Sequence, residues 1–376
     1  MNRLILIALS FFAFAGATTA TTISTAPKTA FLLRTGQFIA QDSSTSATLY
    51  DGTGKVVYRF VSGNVSALAL SYDQKRLLIG TSGGTLQLFD VGSGVTVWSR
   101  GPTETHLHEV IDASFAPSDR GFAVCDFSDE ASVFETASGR QMGSVHFPPH
   151  QTHVMSAAIS NDCATGVLVD LGRRVFTFDI ASRTMKETGL KGVWPIRHSS
   201  DGRFFAFRRN KSPVKSELCV VNTDDMSVAA LGDFLSIGNI RPTADGDFRI
   251  TADAGKIPHN VPVGLVCDPN VGQIRQIWKA PELSDIEKGT DFDPKTMLGV
   301  STNYRLVTSL IDLRTNAVRA NIDNSANFKP IIVSWTPRRM TGREFFNWLL
   351  LRAVIVVGIL GSIVILVGRM KSRSRS

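Results

Sequence analysis

Cysteine is scarce: Cys125, Cys163, Cys219 and Cys267 are the only four in 376 residues, and none forms a C-x-x-C pair or zinc-type spacing. That excludes a zinc ribbon or finger, and a domain of this size does not depend on disulfide staples. Catalytic signatures are missing too: there is no G-x-S-x-G elbow, no H-E-x-x-H helix and no phosphate-binding glycine loop. An excess of charge is absent from the body of the chain. The net charge of +7 comes from 40 basic against 33 acidic residues. Setting aside Arg3, Arg352 and the four tail cations Arg369, Lys371, Arg373 and Arg375 leaves 34 against 33. A near-neutral middle removes the electrostatic footprint of a nucleic-acid binder. Helical periodicity is also lacking there.

Long apolar runs are confined to the two ends. Met1-Asn2-Arg3 is followed by an apolar run to about Ala15 and by the small-x-small triplet Ala15-Gly16-Ala17. This pattern predicts a cleaved signal peptide over residues 1–17. An uncleaved anchor is the competing reading, but 14 residues fall short of the ~20 a bilayer needs. Residues 349–367 form a second apolar run, with Arg352 its only charge and a basic tail behind it. A span followed by cations predicts a single-pass transmembrane helix over 345–368, a linker over 323–344 and a short cytosolic tail over 369–376. Trp348 and Arg352 suit the interface. The membrane is thus one expected partner, and the signal peptide places the large domain outside the cytosol. Were residues 1–17 not a signal, the domain would face the cytosol, as in a trafficking factor.

Between these ends the chain is made of short apolar runs separated by Gly, Asp, Ser and Asn turns, the text of an all-β protein. An apolar residue followed by an acid or amide recurs seven times, at Asp51, Asp90, Glu135, Asp179, Asn222, Asp268 and Asp312, with spacings of 39, 45, 44, 43, 46 and 44 residues. A second marker, Asp73, Asp119, Asp162, Asp201, Asp245 and Asp293, precedes the first by 16 to 23 residues. A third set of turns, such as Gly92-Ser93-Gly94, follows it. Three turns per unit imply four strands; in the clearest unit these are 67–71, 77–81, 85–90 and 95–99. Such a sheet cannot bury both faces alone, and stacking the units around an axis buries them all.

The units 65–98 and 106–142 resemble WD-repeat propeller blades in period and turn placement, and the resemblance extends over residues 28–322. No unit keeps Trp-Asp at the first marker, and the family's Gly-His pair is missing as such. The resemblance implies an all-β, about seven-bladed β-propeller, to which the ends add one C-terminal transmembrane helix. Six or eight blades, or a cousin propeller family, stay open. The resemblance also puts His106 and His150 at the family's histidine position, hydrogen-bonded within their own blades. Residues 28–33 read as the inner strand of the first blade, which leaves 330–335 either to close the ring or to lead to the membrane.

Four histidines, His106, His108, His150 and His153, fall in matching loops of consecutive units, which makes them candidate ligands for a transition metal. No carboxylate or cysteine reinforces the set, so neither a metal nor another cofactor is expected. His198 replaces an apolar residue on an inner strand beside Arg197, but the pair has no acid–base partner in the sequence. Cys219 and Cys267 share parity ahead of their markers and so point the same way round the ring; no disulfide is expected between them. No catalytic residue is assigned. The function read from these features is a membrane-anchored extracytoplasmic scaffold that binds an unidentified protein partner. The alternative is a propeller enzyme, or a small-ligand or metal-binding receptor, acting at the channel mouth.

Overall fold

The computed structural model describes residues 30–324, apart from 127–129, 148–152, 213–214, 244, 257–258, 280–290 and 303–306. Among the described residues twenty-eight strands fall into seven four-stranded antiparallel sheets, each built from four consecutive strands. The blades span 30–61, 65–100, 110–146, 154–191, 193–234, 236–279 and 291–323. The second blade shows the pattern: Val65–Leu70 innermost, then Arg76–Thr81, Leu86–Asp90 and Thr96–Arg100. These bounds lie within two residues of those read from the sequence. The chain is a seven-bladed β-propeller.

Side chains of a strand alternate between its two faces. In a propeller both faces meet a neighbouring blade, so the inner strands are buried on each side. Leu77 and Ile79 of blade 2 pack with Phe31, Ile39 and Phe60 of blade 1. Leu78, between them, packs the other way with Val110, Phe115 and Phe122 of blade 3. The fourth strands form the rim and are largely exposed; blade 1's Val56–Val61 buries only Phe60.

Among the described residues the ring closes by packing of blade 1 on blade 7, each built from four consecutive strands. Ala30, Leu32, Phe38, Ala40 and Tyr50 of blade 1 pack on Leu298, Val300 and Leu310 of blade 7. The inner strand of blade 1, Ala30–Leu32, is its own, as its sequence implies. Residues 330–335 lie outside the described residues, as do the signal and membrane-span segments. Among the described residues no helix is long and apolar enough to cross a membrane.

The seven recurring acids and amides stand at or just after the end of each third strand, where they close the turn into the fourth. Asp51 Oδ1 accepts from the Thr53 and Lys55 amides at 2.8 and 3.0 Å, and Asp90 Oδ1 from the Ser93 amide and hydroxyl at 2.9 Å. Asp179 binds the Ser182 amide, Asn222 that of Asp224, Asp268 that of Asn270 and Asp312 that of Arg314. Glu135, one methylene longer, takes the Ser138 hydroxyl instead. A side chain that mimics a backbone turn explains why the period is carried by Asp and Asn.

The Ser93 bonds hold the Asp90 carboxyl below its ordinary 3.8, aided by Arg76. That contribution is present above pH 3.8 and fades as pH falls through the lowered value. Asp90→Ala is expected to cost about 1 kcal/mol in urea denaturation at neutral pH, with the gap to wild type closing in acid.

Of the second markers, Asp73, Asp119, Asp162 and Asp201 lie in first hairpin turns, whereas Asp293 ends the strand Asp291–Asp293. Asp119 also ties two blades, accepting from the Tyr72 and Asp73 amides of blade 2 at 2.8 and 2.9 Å.

Candidate functional site

The inner strands surround a cavity of about 550 Å³. Its wall carries Arg197 and Arg208 of blade 5, Arg241 and Arg249 of blade 6, Asp112 of blade 3 and Asp291 of blade 7. Arg197 directly precedes His198, the last rung of its hairpin opposite Phe205. Arg241 directly precedes Pro242, the last rung of the next blade opposite Phe248. The two arginines therefore occupy one position of adjacent inner strands, and Arg249 is paired across the ladder from Arg241. Toward the hairpin turns the wall adds Arg34, Asp245 and Lys295, the last 81% exposed, so the cavity reaches the surface there.

Bonds across the channel hold this wall. Arg197 meets Asp112 through two parallel bonds, Nη2 to Oδ1 at 3.0 Å and Nη1 to Oδ2 at 3.1 Å. Ser156 of blade 4 stands between them, donating to Asp112 and accepting from the Ile196 amide at 3.2 Å. Burial opposes the Arg197 charge, but the Asp112 carboxylate outweighs it and holds the guanidinium above its ordinary value. The Tyr72 hydroxyl of blade 2 reaches blade 5 and donates to the His198 carbonyl at 2.8 Å. Burial raises its phenol, making it a poor proton donor to solvent.

Asp291 stitches the seam of the ring. Its oxygens accept from the Leu32 amide of blade 1 at 3.0 Å and from the Phe292 amide at 2.9 Å. Arg241 Nε and Arg249 Nη2 approach it at 3.6 and 3.5 Å. The Arg241 guanidinium lies over the Phe31 ring, 3.9 Å from its centroid, and donates to the Ala30 carbonyl at 3.1 Å. Burial pushes Arg241 down to about 10, with Asp291 opposing the shift and Arg249 and Arg197 adding to it. Blades 6, 7 and 1 are thus joined by charge as well as by apolar packing.

The sequence reading singled out Arg197 and His198 but assigned them no partner; the partner is Asp112, 85 positions away. His198 is buried, its Nδ1–H donating to the Phe204 carbonyl at 3.2 Å, and burial pushes it down to about 4. Arg241, Arg249, Asp112 and Asp291 were missed. Phase was the available signal: Arg197 and Arg241 each stand four residues before a turn aspartate, Asp201 and Asp245.

Residues Pro102–Thr105 form one helical turn that ends on His106 in the left-handed region, φ 58°. His106 is exposed. Thr105 Oγ1 donates to the Gly84 carbonyl at 2.9 Å, and this contact needs a glycine: at φ +77°, a Gly84 β-carbon would fall 2.1 Å from the Leu107 oxygen. His108 is also exposed and its amide donates to Asp126 at 2.8 Å. The His153 carbonyl accepts from the Leu171 amide, and His150 lies outside the described residues. Among the described residues no group of three or more His, Cys, Asp or Glu side chains could hold a metal. All four cysteines are buried free thiols. Burial drives Cys219 up to about 11 and Cys267 up to about 12, which leaves them without the thiolate that reacts.

Ring and channel together define the class: a seven-bladed β-propeller whose channel is bridged by arginine–aspartate pairs. No protein-family model matches the sequence, and no curated protein matches it. Solved structures do resemble it in fold. The Cps50 (Swd1) β-propeller domain of Myceliophteria thermophila superposes with a TM-score of 0.55 at 13% identity, covering 74% of this chain and 93% of that one. A chain of a mitotic checkpoint complex gives 0.57 at 11%, covering 77% and 91%. A chain of the hydrazine synthase of Kuenenia stuttgartiensis gives 0.53 at 16%, covering 82% and 98%. At these identities the likeness is one of fold.

Proposed function

We propose that this protein is a WD-repeat-type propeller held on the extracytoplasmic side of a membrane by its C-terminal apolar segment, where it serves as a protein-binding scaffold. The observation that carries the scaffold role is on the rim. Blade 1's outer strand exposes Val56, Val57, Tyr58 and Val61, and blade 2 exposes Val97 on its outer strand and Val95 just before it; Val61 and Val95 are each 61% exposed. Tyr58 also reaches blade 2, its ring lying where a β-carbon on Gly94, in the turn before that blade's outer strand, would meet it at 2.8 Å. Edge strands are ordinarily protected by charge, and Val56–Val61 carries only Arg59, which turns to Asp42 at 3.1 Å. An apolar edge with unpaired backbone groups suits an extended, apolar segment of another protein, added as a fifth strand. One fold relative belongs by name to a complex, which fits such a role. The membrane assignment rests on residues 1–17 and 345–368.

A photo-crosslinking amino acid at Val57, in intact membranes, is expected to give a discrete protein adduct that disappears in Tyr58→Asp. The same probe at Lys186, on the outer strand of blade 4, is expected to give none. Equal adducts at both positions, or none at either, would overturn the rim as the docking surface. Protease digestion of sealed cells, with mapping of the mature N-terminus, tests location: a start near Thr18 and digestion from outside are expected. Persistence of Met1 with digestion only from the cytosolic side defeats it.

A further inference from the structure

The central cavity holds more positive charge than its own carboxylates balance. Deep in the channel Arg197, Arg208, Arg241 and Arg249 face Asp112 and Asp291, and toward the hairpin turns Arg34 and Lys295 face Asp245 and Asp293, so six cations line it against four carboxylates. Asp112 is committed to Arg197 through both oxygens. Asp291 is shared by Arg241 and Arg249 and also accepts two backbone amides. Arg208 meets no carboxylate among the described residues; its one bond is Nη1 to the Ile237 carbonyl at 3.0 Å. The surroundings make this costly. Arg241 and Arg249 side chains are 17% and 12% exposed. The Nε groups of Arg208, Arg241 and Arg249 are buried with no hydrogen-bond acceptor among the described residues. Surplus buried cations and unmet donors raise the energy of a fold unless something supplies the counter-charge and the acceptors.

We propose that the channel binds a dianionic phosphoryl group, carried by a small molecule, between blades 5, 6 and 7. The excess of two cations over carboxylates matches two negative charges. A guanidinium's planar fork suits phosphate oxygens, which offer several acceptors at once. The cavity, at about 550 Å³, exceeds what an inorganic ion fills and accommodates a phosphomonoester of ordinary metabolite size. The cations are also pre-positioned: Arg241 is fixed over Phe31 and to the Ala30 carbonyl. Arg249 is tied to the Phe292 carbonyl and Arg197 to Asp112. An anion therefore meets an ordered wall and does not have to bear the cost of assembling it. This site is separate from the rim strands, so its fate does not depend on the scaffold reading.

Calorimetric titration of the full-length protein in detergent, with inorganic phosphate, glycerol phosphate and succinate as probes, tests the assignment. Saturable binding of phosphate and of glycerol phosphate is expected, with a matching rise in Tm, and no more than weak binding of succinate. Arg208→Met, which strips no carboxylate of its partner, is expected to weaken phosphate binding about 10- to 100-fold while leaving the circular dichroism spectrum unchanged. Arg208→Lys keeps the charge and is expected to restore part of the loss. Arg203→Met, on an exposed turn beside Asp201, serves as control and is expected to change nothing. Absence of saturable binding at millimolar phosphate and glycerol phosphate overturns the site. Equal binding of succinate overturns the phosphoryl assignment, and unchanged affinity in Arg208→Met overturns the placement.

Discussion

Asp112→Ala is expected to destabilise the propeller by about 3–5 kcal/mol, whereas Asp112→Leu combined with Arg197→Met is expected to recover most of that loss. The asymmetry follows from burial. Both side chains are 19% exposed and bonded through two parallel contacts, so the pair itself gains little over a well-packed apolar one. Removing only the carboxylate leaves the Arg197 charge without its counter-ion, close to Arg241. It also takes away the acceptor of the Ser156 hydroxyl, which in turn receives the Ile196 amide. Three blades lose their common anchor at once. Denaturant unfolding of Asp112→Leu, Arg197→Met and the double variant closes a mutant cycle. If the two single losses simply add in the double, the pair is not an energetic unit and the channel bridge contributes nothing to ring rigidity.

The period of the fold was written in the sequence because each blade repeats the same local problem. A third strand must turn tightly into a fourth, and Asp51, Asp90, Asp179, Asn222, Asp268 and Asp312 each solve it with a side-chain oxygen on turn amides. Local chemistry of that kind leaves a trace at a fixed spacing. The second marker was less faithful at blade 7, whose short hairpin pairs Asp293 with Leu298 and moves the aspartate out of the turn and into the strand. The channel was much harder to read. Asp112 and Arg197 come from blades 3 and 5, with blade 4's Ser156 between them. Asp291 meets Leu32 across the seam between the last and first blades. Contacts of this type depend on the number of blades and on how the ring closes, which no local pattern encodes. The histidines share a loop phase that is legible in sequence, whereas the short helical turn after Gly101 that presents His106 to solvent is not.

His198→Phe is expected to abolish a loss of stability of about 3 kcal/mol that the wild-type protein shows on acidification from pH 6.5 to about 4. The imidazole is 2% exposed, lies edge-on to Phe205 with ring centres 6.1 Å apart, and spends its Nδ1 proton on the Phe204 carbonyl. Nε2 is buried with no partner among the described residues, so a second proton would have no acceptor. Burial therefore depresses the group from 6.5 to about 4, the Phe204 bond opposing only in part. The sign follows directly. Between those values the unfolded chain takes up a proton that the folded protein refuses, so folding is undisturbed above pH 6.5 and weakens steadily down to about 4. Below that, both states are protonated and the loss stops growing. The turn carboxylates act in a separate window, beneath 3.8. Phenylalanine removes the titration without orphaning the Phe204 carbonyl, because the Ser199 amide also donates to it at 2.9 Å. Urea unfolding of both proteins across this range isolates the effect as a difference, which cancels the other six histidines. Parallel pH profiles for variant and wild type would mean that His198 titrates as it does in water, and that the inner end of blade 5 is open to solvent.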